Sequence, residues 1–192
     1  MKRELFTQRF LKKKLSQRQR HTIEGKPLTS SAVLVPIVRK PSGLELLLTK
    51  RTDTVEHHKG QISFPGGASD ETDISPVETA LRESFEEIGL DRSAVSILGM
   101  MDDLETPSGF IVTPVVGFIE RLPPMQINGN EVAEVIFVPL ELFFDDTKRS
   151  SRIIELNGMK RDVYFYDVWK EPVWGATAFF VKQLVDILRN SQ

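Results

Sequence analysis

The sequence predicts an α+β fold, or a mixed-sheet sandwich, from three observations. Short apolar runs rich in Val, Ile, Leu and Phe are interspersed with a few amphipathic helical stretches. The two kinds do not alternate regularly, as an all-parallel α/β sheet would require. The chain of 192 residues is long enough to bury one sizeable core and short for two.

The elements follow in chain order. Residues 3–19 predict a helix with Leu5, Phe6, Phe10, Leu11 and Leu15 on its apolar side. Residues 24–30 are polar, contain Gly25 and Pro27, and read as a linker. This divides the chain into a basic N-terminal helix or arm at 1–26 and a main domain at 27–192. Ser31–Val38 and Leu44–Thr49 predict two strands joined by a Pro41-Ser42-Gly43 turn. Ser75–Ile88 has helical periodicity, with Val77, Leu81, Phe85 and Ile88 expected on the buried side. Ser75 suits the N-cap, Pro76 the first helical position and Gly89 the C-terminal stop. Further strands are expected at Val95–Met101, Phe110–Ile119 and Val132–Val138, with a short helical turn at Pro139–Phe144. A late hairpin is expected from Ile153–Leu156 and Asp162–Asp167 around Asn157-Gly158. The last helix is expected at Ala176–Arg189, with Phe179, Phe180, Leu184, Val185 and Leu188 buried.

Composition narrows the function classes. Forty per cent hydrophobic and 27% charged residues describe an ordinary globular chain. No apolar run reaches the length of about 18 residues that a membrane helix needs, so no membrane association is expected. Without a recognisable export signal, the cytoplasm is the expected compartment. There are no cysteines, which excludes disulfides, thiolate zinc sites and a cysteine nucleophile. The net charge of −2 is unevenly distributed: residues 1–26 carry nine Lys or Arg against Glu4 and Glu24. That segment reads as a solvated basic face or as an attractor of a polyanionic ligand. Nucleic acid is not the expected partner, because no recognition motif or interleaved aromatic surface accompanies the charge.

The chemistry is concentrated in Gly66-Gly67 and in Arg82-Glu83-Ser84-Phe85-Glu86-Glu87-Ile88-Gly89. On a helix, residues three and four apart share a face, so Glu83, Glu86 and Glu87 project together and Arg82 can brace Glu86. Clustered carboxylates repel one another unless a cation sits among them. Hard oxygen donors suit Mg²⁺ or Mn²⁺, which keep waters and recruit phosphates. Taken alone, the Glu triplet could equally be a solvated helix face and the glycine pair a tight turn.

Together these residues resemble the Nudix box. Gly67 opens it, and Arg82-Glu83, Glu86-Glu87, Gly89 and Leu90 close it. Asp73 stands where the box has its first Glu, one extra residue precedes Arg82, and Ser84 stands where an apolar residue is usual. The resemblance implies an α/β/α sandwich with a mixed β-sheet core and a loop–helix–loop catalytic motif. It implies that Glu83 and Glu87 are the principal metal ligands. The Gly66 carbonyl is the third protein ligand, Glu86 serves a second metal or a water, and Asp73 supports the ligands without touching the ion. The base stays open between Glu86 on the helix and Glu131 or Glu134 later in the chain, with Arg82 completing the catalytic set.

A second motif precedes the box: Leu47-Leu48-Thr49-Lys50-Arg51, then Gly60, then Phe64-Pro65-Gly66-Gly67. It is similar to the coenzyme A pyrophosphatase signature of the same family, with Thr52 in place of Ser or Ala and Glu56 in place of an Arg. Segments 106–117 and 174–178 also look like this branch. The resemblance implies a metal-dependent hydrolase that cuts the pyrophosphate of coenzyme A to 3′,5′-ADP and 4′-phosphopantetheine. Arg51, Gly67 and Phe110 are then candidate substrate contacts, with His58 or Lys59 compensating for Glu56 and Trp174 lining a groove. Alternatives are a family member acting on ADP-ribose, a dinucleoside polyphosphate or a nucleoside triphosphate, and a non-catalytic nucleotide-binding module. A homodimer agrees with the family, and no residue pattern bears on it.

Overall fold

A computed structural model describes residues 7–53, 60–156 and 159–189. Helix α1 spans Gln8–Ser16, and strands β1 and β2 span Thr29–Lys40 and Gly43–Arg51. Two short strands follow, β3 (Ile62–Ser63) and β4 (Gly66–Ala68), and then helix α2 (Pro76–Ile88). Strands β5 (Ser96–Met100), β6 (Leu104–Glu105), β7 (Phe110–Ile119) and β8 (Val132–Pro139) complete the main sheet. Strands β9 (Arg149–Leu156), β10 (Met159–Tyr166) and β11 (Val173–Trp174) form a smaller sheet ahead of helix α3 (Gly175–Arg189).

The architecture is α+β, as the sequence predicts. The main sheet is mixed because β1 runs parallel to β7 from Thr29 to Val38, while β2 and β5 add antiparallel. Each face of this sheet is covered. Leu11 and Leu15 of α1 and Phe180, Leu184 and Leu188 of α3 pack with Val35, Ile37, Leu46 and Leu48 on one side. Ala80, Leu81 and Ile88 of α2 pack with Ala32, Leu34, Leu47 and Val115 on the other. The two-residue period of the strands supplies both sets, since alternate side chains point to opposite faces.

The site is positioned by a split between β1 and β2. They pair only at the turn end, from Ile37–Leu46 to Lys40–Gly43. Beyond it β4 takes the place beside β1, opposite Ser31–Val33, and β3 takes the place beside β2, opposite Thr49 and Lys50. Phe64-Pro65 bridges the gap, and the Pro65 carbonyl accepts a 2.8 Å bond from the Leu34 amide. The segment Ile62–Ala68 is thereby fixed against the middle of the sheet and under α2. These strands of two and three residues carry no readable periodicity, and neither do β6 and β11.

Two expectations about helices need correction. Phe85 was expected on the buried side of α2 but is 60% exposed, while Ser84 is fully buried. Ser84 fits the core because its hydroxyl donates to the Ala80 carbonyl at 2.6 Å, within the helix's own backbone. Phe179 is only partly buried at the edge of the core, and Val181 is buried on α3. The turn at Asn157-Gly158 lies outside the described residues, as do residues 3–6 of the first expected helix.

The basic segment is laced onto the sheet. Arg18 pairs with Asp102, Arg20 with Asp103, and Lys26 with Glu105. Arg20 also donates to the Met101 carbonyl at 2.8 Å and to Thr113, and the Ile23 amide donates to Asp103. Together with buried Leu11 and Leu15, these contacts fix residues 7–26 against the face of the sheet opposite α2. Truncating Leu11 to Ala should therefore cost about 3 kcal/mol and lower the melting temperature by roughly 10 °C. A thermal melt followed by circular dichroism checks this; a change below about 2 °C would show α1 to be a dispensable appendage.

Candidate active site

Helix α2 starts where Ser75 accepts from the Glu78 amide with Pro76 at the first turn, and stops at Gly89 in the left-handed conformation. One face is apolar and buried; the flank beside it carries Glu83 and Glu87. Glu87 is 4% exposed at its side chain, and Glu83 is mostly covered.

Glu87 is held from the glycine segment and from β2. The Gly66 amide donates to its Oε2 at 3.2 Å, and Arg51 Nη1 lies 3.7 Å from its Oε1. Arg51 reaches it from the end of β2, where the ladder with β8 is bulged between Lys50 and Arg51. The Arg51 Nε is buried without a hydrogen-bond partner among the described residues. Burial pushes the Glu87 carboxyl up to about 7, against the lowering effects of the Gly66 amide and Arg51. Burial also raises Glu83, partly offset by Arg82.

The glycine pair is a packing requirement. A Cβ on Gly66 would stand 2.3 Å from the Ala32 carbonyl oxygen, and one on Gly67 would stand 2.4 Å from Glu83 Oε2. The second contact means that the Glu83 carboxylate rests on the backbone of Gly67.

Arg82 organises the other flank. It donates to Asp73 Oδ2 at 2.9 Å, to Glu83 at 2.8 Å, to Glu86 at 3.0 Å and to the Ala68 carbonyl at 2.9 Å. Asp73, bonded by Arg82 and by the Asp70 amide, is held down at about 2, so it stays ionised. Asp73 is thus spent on Arg82, on the far side of the guanidinium from Glu83 and Glu86. Glu86 is half exposed.

The later carboxylates separate. Glu131 is near enough to raise both Glu83 and Glu87 by repulsion, and Asn128 donates to it at 3.1 Å. Its carbonyl accepts from the Thr52 amide at 3.0 Å, which ties the strand carrying Arg51 to the same corner. Glu134 is not brought there: it is exposed on β8, paired in register with Lys50. Phe110 is also remote. It lies opposite Thr29, on the other side of β1 from Gly66, which stands opposite Val33. That is four residues along β1, roughly 13 Å. Trp174 stacks on Phe165 in the small sheet. Glu56, His58 and Lys59 lie outside the described residues.

The donor set fits a hard divalent ion. It is all oxygen, it is partly desolvated, and neither Glu83 nor Glu87 is fully compensated by a cation. Among the described residues no three acidic or imidazole groups converge around one point, since Arg82 holds Glu83 and Glu86 while Gly66 holds Glu87.

The comparisons agree with this geometry. Residues 28–156 match the NUDIX domain. An uncharacterized Nudix hydrolase NudL of Pectobacterium atrosepticum is 43% identical over 154 residues, covering 80% of each chain. The NudL protein of Photorhabdus laumondii is 37% identical over 172 residues, covering 90% of this chain and 87% of that one. Among solved structures, the Nudix hydrolase RenU of M. smegmatis superposes with a TM-score of 0.52 at 23% identity, over 61% of this chain and 74% of its own. A Deinococcus radiodurans protein superposes with a TM-score of 0.53 at 14% identity, over 81% and 82%. At these identities the structures speak to the fold alone.

The buried glutamate has a measurable signature. A carboxyl raised from an ordinary 4.5 to about 7 favours its protonated form in the folded state. Its charge therefore destabilises the metal-free fold progressively as pH rises through that window, and fully above it. Urea denaturation of metal-free protein between pH 5 and 8 should show a loss on the order of 2 kcal/mol that Glu87→Gln removes. Identical pH profiles for the two proteins would place Glu87 in water.

Proposed function

The chain belongs to the Nudix family, and from that premise we propose that it is a hydrolase dependent on Mg²⁺ or Mn²⁺ that cleaves the pyrophosphate bond of coenzyme A or a derivative. The products are 3′,5′-ADP and 4′-phosphopantetheine. The observation that carries the hydrolytic reading is the buried pair Glu83 and Glu87, seated on Gly67 and Gly66.

In this reading Glu83, Glu87 and the Gly66 carbonyl hold the ion, with Glu86 at a second ion or at a water. A divalent ion held there would neutralise phosphate oxygens and make an attacking water more acidic. A carboxylate of the chain would take that water's proton as the new phosphorus–oxygen bond forms and the bridging oxygen leaves with the other phosphate. We take Glu86, held beside Glu83 by Arg82, and Glu131, near enough to repel Glu83 and Glu87, as the candidates for this; Glu134, exposed on β8 opposite Lys50, is left out. Arg82 fixes the angle of Glu83 and Glu86, and Asp73 keeps Arg82 in place. Among the described residues Arg51 supplies the cation nearest Glu87, and its guanidinium is the candidate partner of a phosphate oxygen. Gly67 gives Glu83, rather than the substrate, its close approach to the backbone. Phe110, across β1, takes no part.

Substrate choice rests on the Leu47–Gly67 motif, which matches the coenzyme A signature at most anchor positions. Glu56, a charge reversal within that motif, favours a second reading: another nucleoside diphosphate derivative, such as ADP-ribose or a dinucleoside polyphosphate. The small-molecule substrate leaves no role for membrane or nucleic acid, and the cytoplasm suits it.

Incubation with Mg²⁺ or Mn²⁺ and a panel of coenzyme A, ADP-ribose, diadenosine polyphosphates and nucleoside triphosphates, resolved by chromatography, decides between the readings. Coenzyme A should have the highest kcat/KM; preferred cleavage of ADP-ribose would replace the first reading with the second. Glu87→Gln should lower turnover by at least about a hundredfold, the scale for losing a major electrostatic group. Near-normal turnover in that variant would remove the metal assignment.

A further inference from the structure

We propose that the groove between the end of α2 and the loop 124–129 receives the uncharged arm of the substrate and so sets specificity for a diphosphate carrying a long, weakly polar tail. This rests on the coenzyme A reading above and extends it to residues outside both sequence motifs.

Among the described residues, five large hydrophobic side chains are conspicuously exposed, and three of them surround α2: Ile74 at 90%, Phe85 at 60% and Ile127 at 44%. Phe85 stands between two grooves. One, of about 670 Å³, is shared with Ile74 and bordered by Arg82 and Arg92, which are committed to Asp73 and Glu78. The other, of about 810 Å³, is lined by Phe85, Pro124, Met125 and Ile127, with Glu86 and Asn128 at its borders. That size lies within the range of roughly 300–1,000 Å³ common for small-molecule sites.

The second groove is joined to the site. Its loop is pinned to the last turn of α2, with the Gln126 amide donating to the Ile88 carbonyl at 3.1 Å and the Asn128 amide to the Glu87 carbonyl at 2.9 Å. Gly89 permits this approach, since a Cβ there would stand 2.6 Å from the Gln126 nitrogen. Glu86 borders the groove and is bonded to Arg82; Asn128 borders it and is bonded to Glu131. A molecule with its diphosphate beside Glu83 and Glu87 can thus extend past Glu86 into the groove.

Charge selects the occupant. Among the described residues no Lys, Arg or His lines this groove, and the one ionisable group that does is the Glu86 carboxylate. A phosphate there would lack a cationic partner and face a like charge. An uncharged chain with amides would find apolar walls and the polar side chains of Gln126 and Asn128. The half of the substrate that bears the extra phosphate must then lie away from the groove, on the side of Arg51.

Steady-state kinetics with Mg²⁺ on coenzyme A and ADP-ribose tests the assignment, using Phe85→Ser/Ile127→Ser and, as a milder change, Ile127→Asp alone. Melting temperature and light scattering accompany each protein. The expected result is a KM for coenzyme A raised about tenfold in the double variant and severalfold in the single one. The kcat for coenzyme A and both constants for ADP-ribose should stay within about twofold. If wild type cleaves coenzyme A and the variants change neither substrate, or both alike, the groove assignment fails while the substrate reading stands. If the variants halve the mass in solution and leave KM unchanged, the face belongs to a second copy of the chain and the proposal is overturned. If wild type leaves coenzyme A intact, the substrate reading falls and takes the groove assignment with it.

Discussion

The seating of the Glu87 carboxylate on the Gly66 amide, inside the fold, is the constraint on which the rest of the site depends. It joins the helix to the glycine segment, and that segment is itself a strand of the central sheet, paired with Ser31–Val33. A charged group is thereby placed where water is scarce, with Arg51 as an imperfect partner at 3.7 Å. A buried carboxylate so incompletely paired costs stability in the resting protein. Under the proposed function the same desolvation would strengthen its hold on a divalent ion, because an opposite charge acts more strongly at low dielectric.

The remaining polar groups fall into place around it. Arg82 gathers Asp73, Glu83 and Glu86 into one array, and the Ala68 carbonyl fixes the guanidinium to the sheet. The split between β1 and β2 makes room for the glycine segment, and the bulge before Arg51 turns that strand's end toward Glu87. On the other side of the sheet, α1, α3 and the Arg18–Asp102 and Arg20–Asp103 pairs close the larger of the two cores. The candidate site lies on the α2 side, above the smaller core.

Much of this was legible because it is encoded locally. The limits of α2 follow from Ser75, Pro76 and Gly89, and the strand at Phe110–Ile119 follows from a mostly apolar run rich in Phe, Ile and Val. The shared flank of Glu83 and Glu87 follows from helical spacing alone. What stayed hidden depends on distant partners. Ser84 and Phe85 exchange their expected places because Ser84 satisfies its hydroxyl within the helix, which no hydropathy pattern records. The basic segment reads as a free arm until Asp102, Asp103 and Glu105, about eighty positions away, are seen against it. Glu131 and Glu134 look alike in sequence; only the chain's path from the loop into β8 decides that the first meets Glu83 and Glu87 while the second pairs with Lys50. The loop 124–129 carries no motif and becomes visible only through its bonds to the end of α2.

Direct titration with Mn²⁺ tests whether the two covered carboxylates on this helix flank bind a divalent ion. Free ion is followed by its paramagnetic resonance signal in wild type, Glu83→Gln and Glu87→Gln, with folding verified by circular dichroism. Saturable binding to wild type that weakens at least about tenfold in each folded variant is expected. Equal binding by all three proteins, or none by wild type, would contradict the metal assignment.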